Sequence, residues 1–268
     1  DGKILYKKLI DNGLYTQNDF EGILFCATPA KSYFADDLNS GMPKNSNYMF
    51  SPLSIKMALA LAANGAEGET YKEISEVAEI YDIAQYNETA KSLIESYSEV
   101  KAVKLSIANS IWLNKDESTK NFARTYKDTV YSYYGAEAKE VDRKNAVKTI
   151  NNWVSDKTNK KIPEIINSAD FWAALVNAVY FSGNWNNEFE EELTYKDNFY
   201  NFDGTVSKAE FMQNTANFMY FADDKTTVIE LPYESTTHTL NDDGSVADFH
   251  RDNVNISMYI MMTDYENR

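Results

Sequence analysis

Asn47-Tyr48-Met49-Phe50-Ser51-Pro52-Leu53-Ser54-Ile55-Lys56-Met57-Ala58-Leu59-Ala60, running on to Gly65-Ala66-Glu67-Gly68-Glu69-Thr70, is the stretch on which the fold turns. It reads as a short strand entering a helix that is apolar on nearly every side. Ser51 stands where an N-cap belongs, Pro52 at the first helical position and Gly65 just past the C-terminus. A helix apolar all round belongs in the centre of a sizeable domain. Thr70 and Glu73 then have the T-x-x-E spacing of a capping box that opens a second helix.

Outward from this core the pattern alternates between helical and extended periods. Helices are expected near Pro29 to Leu38, over 52–63, 71–80 and 83–99, and over 121–134. Lys104 to Leu113 alternates as a strand, and Glu140-Val141 suggests a short one. Asp142 stands at the N-cap of a helix over 144–159, whose apolar stripe is Val147, Ile150, Trp153 and Val154. Trp172-Ala173-Ala174-Leu175-Val176-Asn177-Ala178-Val179-Tyr180-Phe181 is nearly all apolar, the pattern of a strand buried on both faces of a large covered sheet. Extended segments follow near 196–202, 206–212, 216–221, 226–231 and 256–262. Helices first, one covered sheet, then a run of strands is an α+β order. With no internal repeat or Pro/Gly-rich linker, residues 1–268 read as a single domain.

Composition closes off several functions. A net charge of −15 argues against nucleic-acid or anionic-membrane partners. No apolar stretch approaches the length of a membrane span. No signal peptide is read in the sequence, which starts at Asp1, and that is compatible with a leader removed or simply not included. The single cysteine, Cys26, cannot form an intrachain disulfide, and its apolar setting reads as a buried structural thiol. His238 and His250 both lie in a polar stretch and no G-x-S-x-G elbow occurs, which argues against a serine hydrolase. Asn241-Asp242-Asp243-Gly244, with Asp248, His250 and Asp252 beyond, lacks the spacing of a calcium loop and reads as a solvated hairpin; no metal or cofactor is expected. The sequon-like triplets Asn87-Glu88-Thr89 and Asn255-Ile256-Ser257 arise often by chance.

Taken as one string, Phe50-Ser51-Pro52-Leu53-Ser54-Ile55, the Ala-Leu run and Gly65 to Glu73 resemble the central helix and following turn of the serpins, a family known mostly for suicide inhibitors of serine proteases. Three further segments carry the resemblance. Ile150-Asn151-Asn152-Trp153-Val154-Ser155-Asp156-Lys157-Thr158 with Lys161-Ile162-Pro163 is similar to the helix lying across the family's main sheet. Leu175 to Phe181 with Gly183, Trp185 and Phe189 resembles strand 3 of sheet A and the turn leaving it. Val228-Ile229-Glu230-Leu231-Pro232-Tyr233 and Ser257-Met258-Tyr259-Ile260 resemble two adjacent strands of sheet B. The resemblance covers about 30–262 and departs from the family twice: the link from Tyr233 to Ser257 carries an extra polar stretch, Glu234 through Asn255, and the sequence stops at Arg268, after a sheet-B strand. It therefore implies a serpin fold, incomplete at its C-terminus and lacking hinge and reactive loop, with a fragment of a longer protein the favoured explanation.

The implied mechanism needs no nucleophile from this protein. A protease cleaves the exposed loop, and the freed loop inserts as a strand into sheet A before the acyl-enzyme hydrolyses. By resemblance the "shutter" under the opening sheet falls at Ser51, Ser54 and Asn177, and the "breach" where the loop enters at Trp185 and Thr194. The residues alone allow a blander account: Ser51 as a cap, Asn177 as a satisfied core amide and Trp185 as a core aromatic. The implied partner is a serine protease, with a cysteine protease as alternative, and no enzyme activity is expected. A non-inhibitory serpin acting as carrier, chaperone or structural protein is the second reading. The helix from Ile83 to Val100 has Lys91 as its only cation, so no glycosaminoglycan is expected. Self-association through an open sheet edge is expected of this chain alone. The expected location is extracellular, with the cytoplasm as alternative.

Overall fold

A computed structural model describes residues 33–43, 46–118, 120–201, 203–241, 243–252 and 255–263. They fall into two compact units, one within residues 27–99 and 104–181, the other within 100–103 and 182–268. Of the first expected helix, residues 29–32 lie outside the described residues, and what is described is α1, Phe34–Ser40.

In the first unit α1 is followed by α2 (Pro52–Gly65), α3 (Gly68–Ala78) and α4 (Ile83–Ser98), then by β1 (Val103–Asn114), which begins in the second unit. Next come α5 (Arg124–Tyr134), β2 (Glu137–Val141), α6 (Arg143–Lys157) and β3 (Ala173–Gly183), which ends in the second unit. Ser51 caps α2 as its position predicts, accepting the backbone N–H of Ser54 at 3.2 Å. Gly65 is the last helical residue rather than the one past it. A Cβ there would lie 3.0 Å from the Tyr126 ring, whose hydroxyl donates to the Leu61 carbonyl at 2.9 Å, so glycine serves close packing at this position. The Thr70–Glu73 capping box does not form. The helix starts earlier, at Gly68, with Glu67 at the N-cap and no side-chain cap bond, so Thr70 falls inside the first turn. Asp142 occupies the N-cap of α6 but makes no side-chain cap bond either; its carbonyl receives Asn145 N–H at 2.9 Å.

Two apolar clusters build this unit. Met57, Ala60 and Leu61 of α2 pack with Ala78, Ile80, Ala90, Val130 and Tyr134. Ala63 is buried as well, but Leu53, Ile55, Ala58, Leu59 and Ala62 are only partly buried, so the all-round apolarity of α2 is not matched by all-round burial. The second cluster joins Ala146, Ile150, Trp153 and Val154 of α6 to Trp112, Val141, Val176 and Ala178. These strands form a sheet in the order β2-β1-β3. β2 runs parallel to β1 with Ser110 opposite Glu137. β3 is antiparallel to β1, since Asn114 N–H bonds the Trp172 carbonyl while Ser110 Oγ reaches that of Val176.

The expectation that β3 is buried on both faces is corrected here. Val176 and Ala178 are buried beneath α6, whereas Leu175, Val179 and Phe181 on the opposite face are 40, 37 and 38% exposed. A strand that alternates in this way is covered on one face.

The second unit is mostly β. A turn of 3₁₀ helix, Glu191–Leu193, precedes the hairpin of β4 (Tyr195–Tyr200) and β5 (Val206–Phe211). β6 (Tyr220–Ala222), β7 (Thr226–Pro232) and β10 (Ser257–Thr263) make an antiparallel sheet in the order β10-β7-β6. Between β7 and β10 the polar stretch folds as a second hairpin, β8 (Thr236–Leu240) with β9 (Val246–Arg251), broken by a bulge near Leu240. Both hairpins close on the same turn pattern. Asn201 N–H bonds Thr205 O and Asn241 N–H bonds Ser245 O, while Asp203 and Asp243 each accept from the backbone and hydroxyl two residues on.

Candidate functional site

An asparagine inside an apolar strand must find partners or cost about 1–3 kcal/mol. Asn177 finds two. Its Oδ1 accepts from the Ser54 hydroxyl in the first turn of α2, and its Nδ2 donates to Asn109 Oδ1 on β1 at 2.5 Å. Ser54 is itself placed by the cap, because its N–H is held by Ser51 Oγ. Thus Ser51, Ser54 and Asn177 meet in one cluster, with the start of α2 supplying the hydroxyls and β3 the amide.

The cluster extends to residues the sequence reading did not single out. Asn109, buried on β1, completes the Asn177 amide and donates to the Tyr134 carbonyl at 3.3 Å. The Tyr134 hydroxyl donates to Asn87 Oδ1 at 2.5 Å, and Asn87 and Asn64 exchange amide bonds at 2.9 and 3.0 Å. Asn109 carried the same signal as Asn177, a lone amide within an apolar strand, Ile107-Ala108-Asn109-Ser110-Ile111. The Asn87 amide is thereby buried and bonded within the core.

What such an arrangement can do is conformational. Polar groups between a helix end and a sheet strand have well-defined partners in one arrangement, and separating strand from helix exposes several unmet bonds at once. On this face, sliding the strand therefore breaks discrete hydrogen bonds, in addition to the apolar contacts that Val176 and Ala178 make beneath α6.

In the second unit Trp185 forms a bridge with Tyr233, and their rings stack with centroids 4.4 Å apart at 14°. Phe189 meets Trp185 edge-on at 6.1 Å. Gly183, at the end of β3, is packed so closely that a Cβ would lie 2.6 Å from Val103 Cγ1 and 3.3 Å from the Tyr233 ring. Only glycine fits there. Thr194 follows the 3₁₀ turn, its N–H bonded to Glu191 O at 3.0 Å, and among the described residues no hydrogen bond joins it to Trp185.

Asp252, grouped by the sequence reading with a solvated hairpin, has a more defined place in this unit. It is 6% exposed, and its two carboxylate oxygens take the backbone N–H groups of Lys101 and Ala102 at 2.8 and 2.9 Å. His250 Nε2 lies 3.0 Å from Oδ1. Burial pushes this carboxyl up, but the two backbone bonds and the neighbouring imidazole outweigh it and hold it below the ordinary aspartate value. The string read as a solvated hairpin is therefore solvated along its strands and anchored at its base. Among the described residues no group of three or more His, Cys, Asp or Glu side chains could hold a metal ion.

With the geometry in place, comparison with known proteins is direct. Residues 30–267 match the sequence model of the family described as Serpin (serine protease inhibitor). An uncharacterized serpin-like protein of Thermococcus kodakarensis is 35% identical over 199 residues, 71% of this chain and 46% of that protein. Serpin-Z2B of Oryza sativa subsp. japonica is 31% identical over 242 residues, covering 86% of this chain and 56% of its own. Among solved structures, the Arabidopsis AtSerpin1 in its native stressed conformation superposes with a TM-score of 0.72 at 28% identity, over 87% of this chain and 58% of that one. The chain thus spans about half the length of the curated relatives it matches.

Proposed function

This chain belongs to the serpin family, and on that premise we propose that the protein is a serpin-type inhibitor of serine endopeptidases, working by cleavage of a reactive loop and its insertion beside β3. Serpins in general are protease inhibitors rather than enzymes, and the chain contributes stored conformational free energy, not a nucleophile. In this mechanism Ser51, Ser54 and Asn177 form the shutter, Asn109 is its fourth member, and Trp185 and Thr194 mark the breach.

The observation that supports this reading is the bonding of Asn177. A strand that must move needs a latch of a few discrete bonds, and Asn177 is held by Ser54 on α2 and Asn109 on β1. The outer side of β3 supports it as well. Among the described residues β3 has a strand neighbour on one side only, β1, and a strand added on the other side would extend the sheet by main-chain bonding. The same edge is the surface through which copies of this chain would associate.

The test is incubation of the complete protein with a trypsin- or subtilisin-type protease, followed by a denaturing gel. A covalent complex of the summed masses that survives detergent is expected. Cleavage without a complex would show a substrate and overturn the inhibitor reading in favour of a non-inhibitory serpin.

A further inference from the structure

The inserted hairpin β8–β9 is the part of the chain that the inhibitor reading leaves unused, and its base lies against the proposed breach. The chain of contacts can be followed residue by residue within the second unit. Asp252 N–H bonds the Ser235 carbonyl at 2.8 Å, which closes the foot of the hairpin. The Asp252 carboxylate then takes two consecutive backbone N–H groups, those of Lys101 and Ala102, one on each oxygen. The next residue, Val103, is the first of β1, is buried, and is the side chain that Gly183 is packed against. Gly183 also lies against Tyr233, which stacks on Trp185. Tyr233 in turn immediately precedes the insertion and bonds the Ile256 carbonyl beyond it at 2.9 Å.

We propose that this insertion is a clamp on the breach, with Asp252 as its positioning residue. Its carboxylate fixes Lys101 and Ala102, seats Val103 against Gly183 and so resists opening of the strand ends beside the Trp185–Tyr233 stack. The physics favours this function over a merely solvated loop. A hydrogen bond to a charged acceptor is stronger than one between neutral groups, and two of them on adjacent amides fix the orientation of a peptide segment as well as its position. A buried carboxylate is costly unless it is fully bonded, and this one receives both backbone donors and the His250 ring. As a gate on loop entry, the clamp rests on the inhibitor reading above; as a restraint on β1 it does not.

Hydrogen exchange of individual amides in Asp252→Ala, Asp252→Asn and Asp252→Glu decides it. In Asp252→Ala the Lys101 and Ala102 amides should exchange at least about tenfold faster, the scale expected when a buried bond to a charged acceptor is lost. Asp252→Asn keeps one good acceptor and should fall between, and Asp252→Glu should restore part of the protection. The amides of residues 110–114, paired with β2, serve as the folded reference. Unchanged exchange at Lys101 and Ala102, or an equal rise at 110–114, would overturn the clamp. In the complete protein, Asp252→Ala should lose inhibitory capacity on standing severalfold faster than the wild type. An unchanged rate alongside faster exchange would overturn the gating role. A wild type that inhibits no protease would sink the inhibitor reading, and the exchange data would still decide the restraint on β1.

Discussion

The two faces of β3 differ in what they are made for. Even-numbered residues Val176 and Ala178 are sealed beneath α6 with Trp112, Ile150 and Trp153. Odd-numbered Leu175, Val179 and Phe181 stay more than a third exposed, and between them Asn177 is tied to α2 and β1 by hydrogen bonds. One face is a finished core, and the other is held by a few directional bonds. The strand is thus restrained in two ways, by close packing on one face and by directional bonding on the other.

The comparison predicts a ranking of costs. Trp112 should show the largest effect: it packs edge-on against Trp153 at 6.3 Å and donates to Ser110 Oγ at 2.9 Å. Trp112→Ala should cost about 3–5 kcal/mol, whereas Val179→Ser on the other face should cost less than about 1 kcal/mol. Urea unfolding of the two variants checks this, and equal losses would erase the distinction between the faces.

Asn177→Ala comes next. It leaves the Ser54 hydroxyl and Asn109 Oδ1 without their partner and should cost about 2 kcal/mol. The double-mutant cycle with Ser54→Ala should show coupling of about 1 kcal/mol, and strict additivity would mean that the two side chains do not act together.

The smallest effect is electrostatic and sits at the α6 face. Burial raises the Glu137 carboxyl, but hydrogen bonds from Lys139 and Trp153 Nε1, with the charges of Lys139 and Lys157, outweigh it and bring it from 4.5 to about 2. A carboxyl depressed in the folded state stabilises the fold above its unfolded value. That contribution is lost as the pH falls from about 4.5 towards 2. Glu137→Gln should be less stable than the wild type at pH 7, with the gap closing over this window as the acid limb flattens. Parallel pH titrations of thermal stability would expose the error if both proteins lost stability equally.

Much of this was legible in the residues because local chemistry decided it. Ser51 and Pro52 fix where α2 begins whatever surrounds it, and the apolar spacing of Ile150, Trp153 and Val154 fixes which side of α6 turns inward. The lone amide of Asn177 announced a bonded polar group for the same reason. Asn109 could have been found by that rule. The misreadings arose where long-range packing overrode a local signal. Thr70 and Glu73 have capping-box spacing, yet the helix begins at Gly68. Gly65 looks like a stop signal and is a seat for Tyr126. A run as apolar as 172–181 records the composition of a strand and leaves open how many of its faces are covered.

By itself the sequence determined the elements, the α+β order and the family, because caps, periodicity and motif strings act over a few residues at a time. Only the tertiary structure decided that Asn109 joins Ser54 and Asn177, that β3 is covered on one face, and that Asp252 reaches back to Lys101 and Ala102. Partners 68, 123 and 151 positions apart along the chain leave no periodic trace in it. Their meeting is set by how strands and helices stack, and a buried carboxylate reveals its acceptors' work only when the backbone it holds is in place.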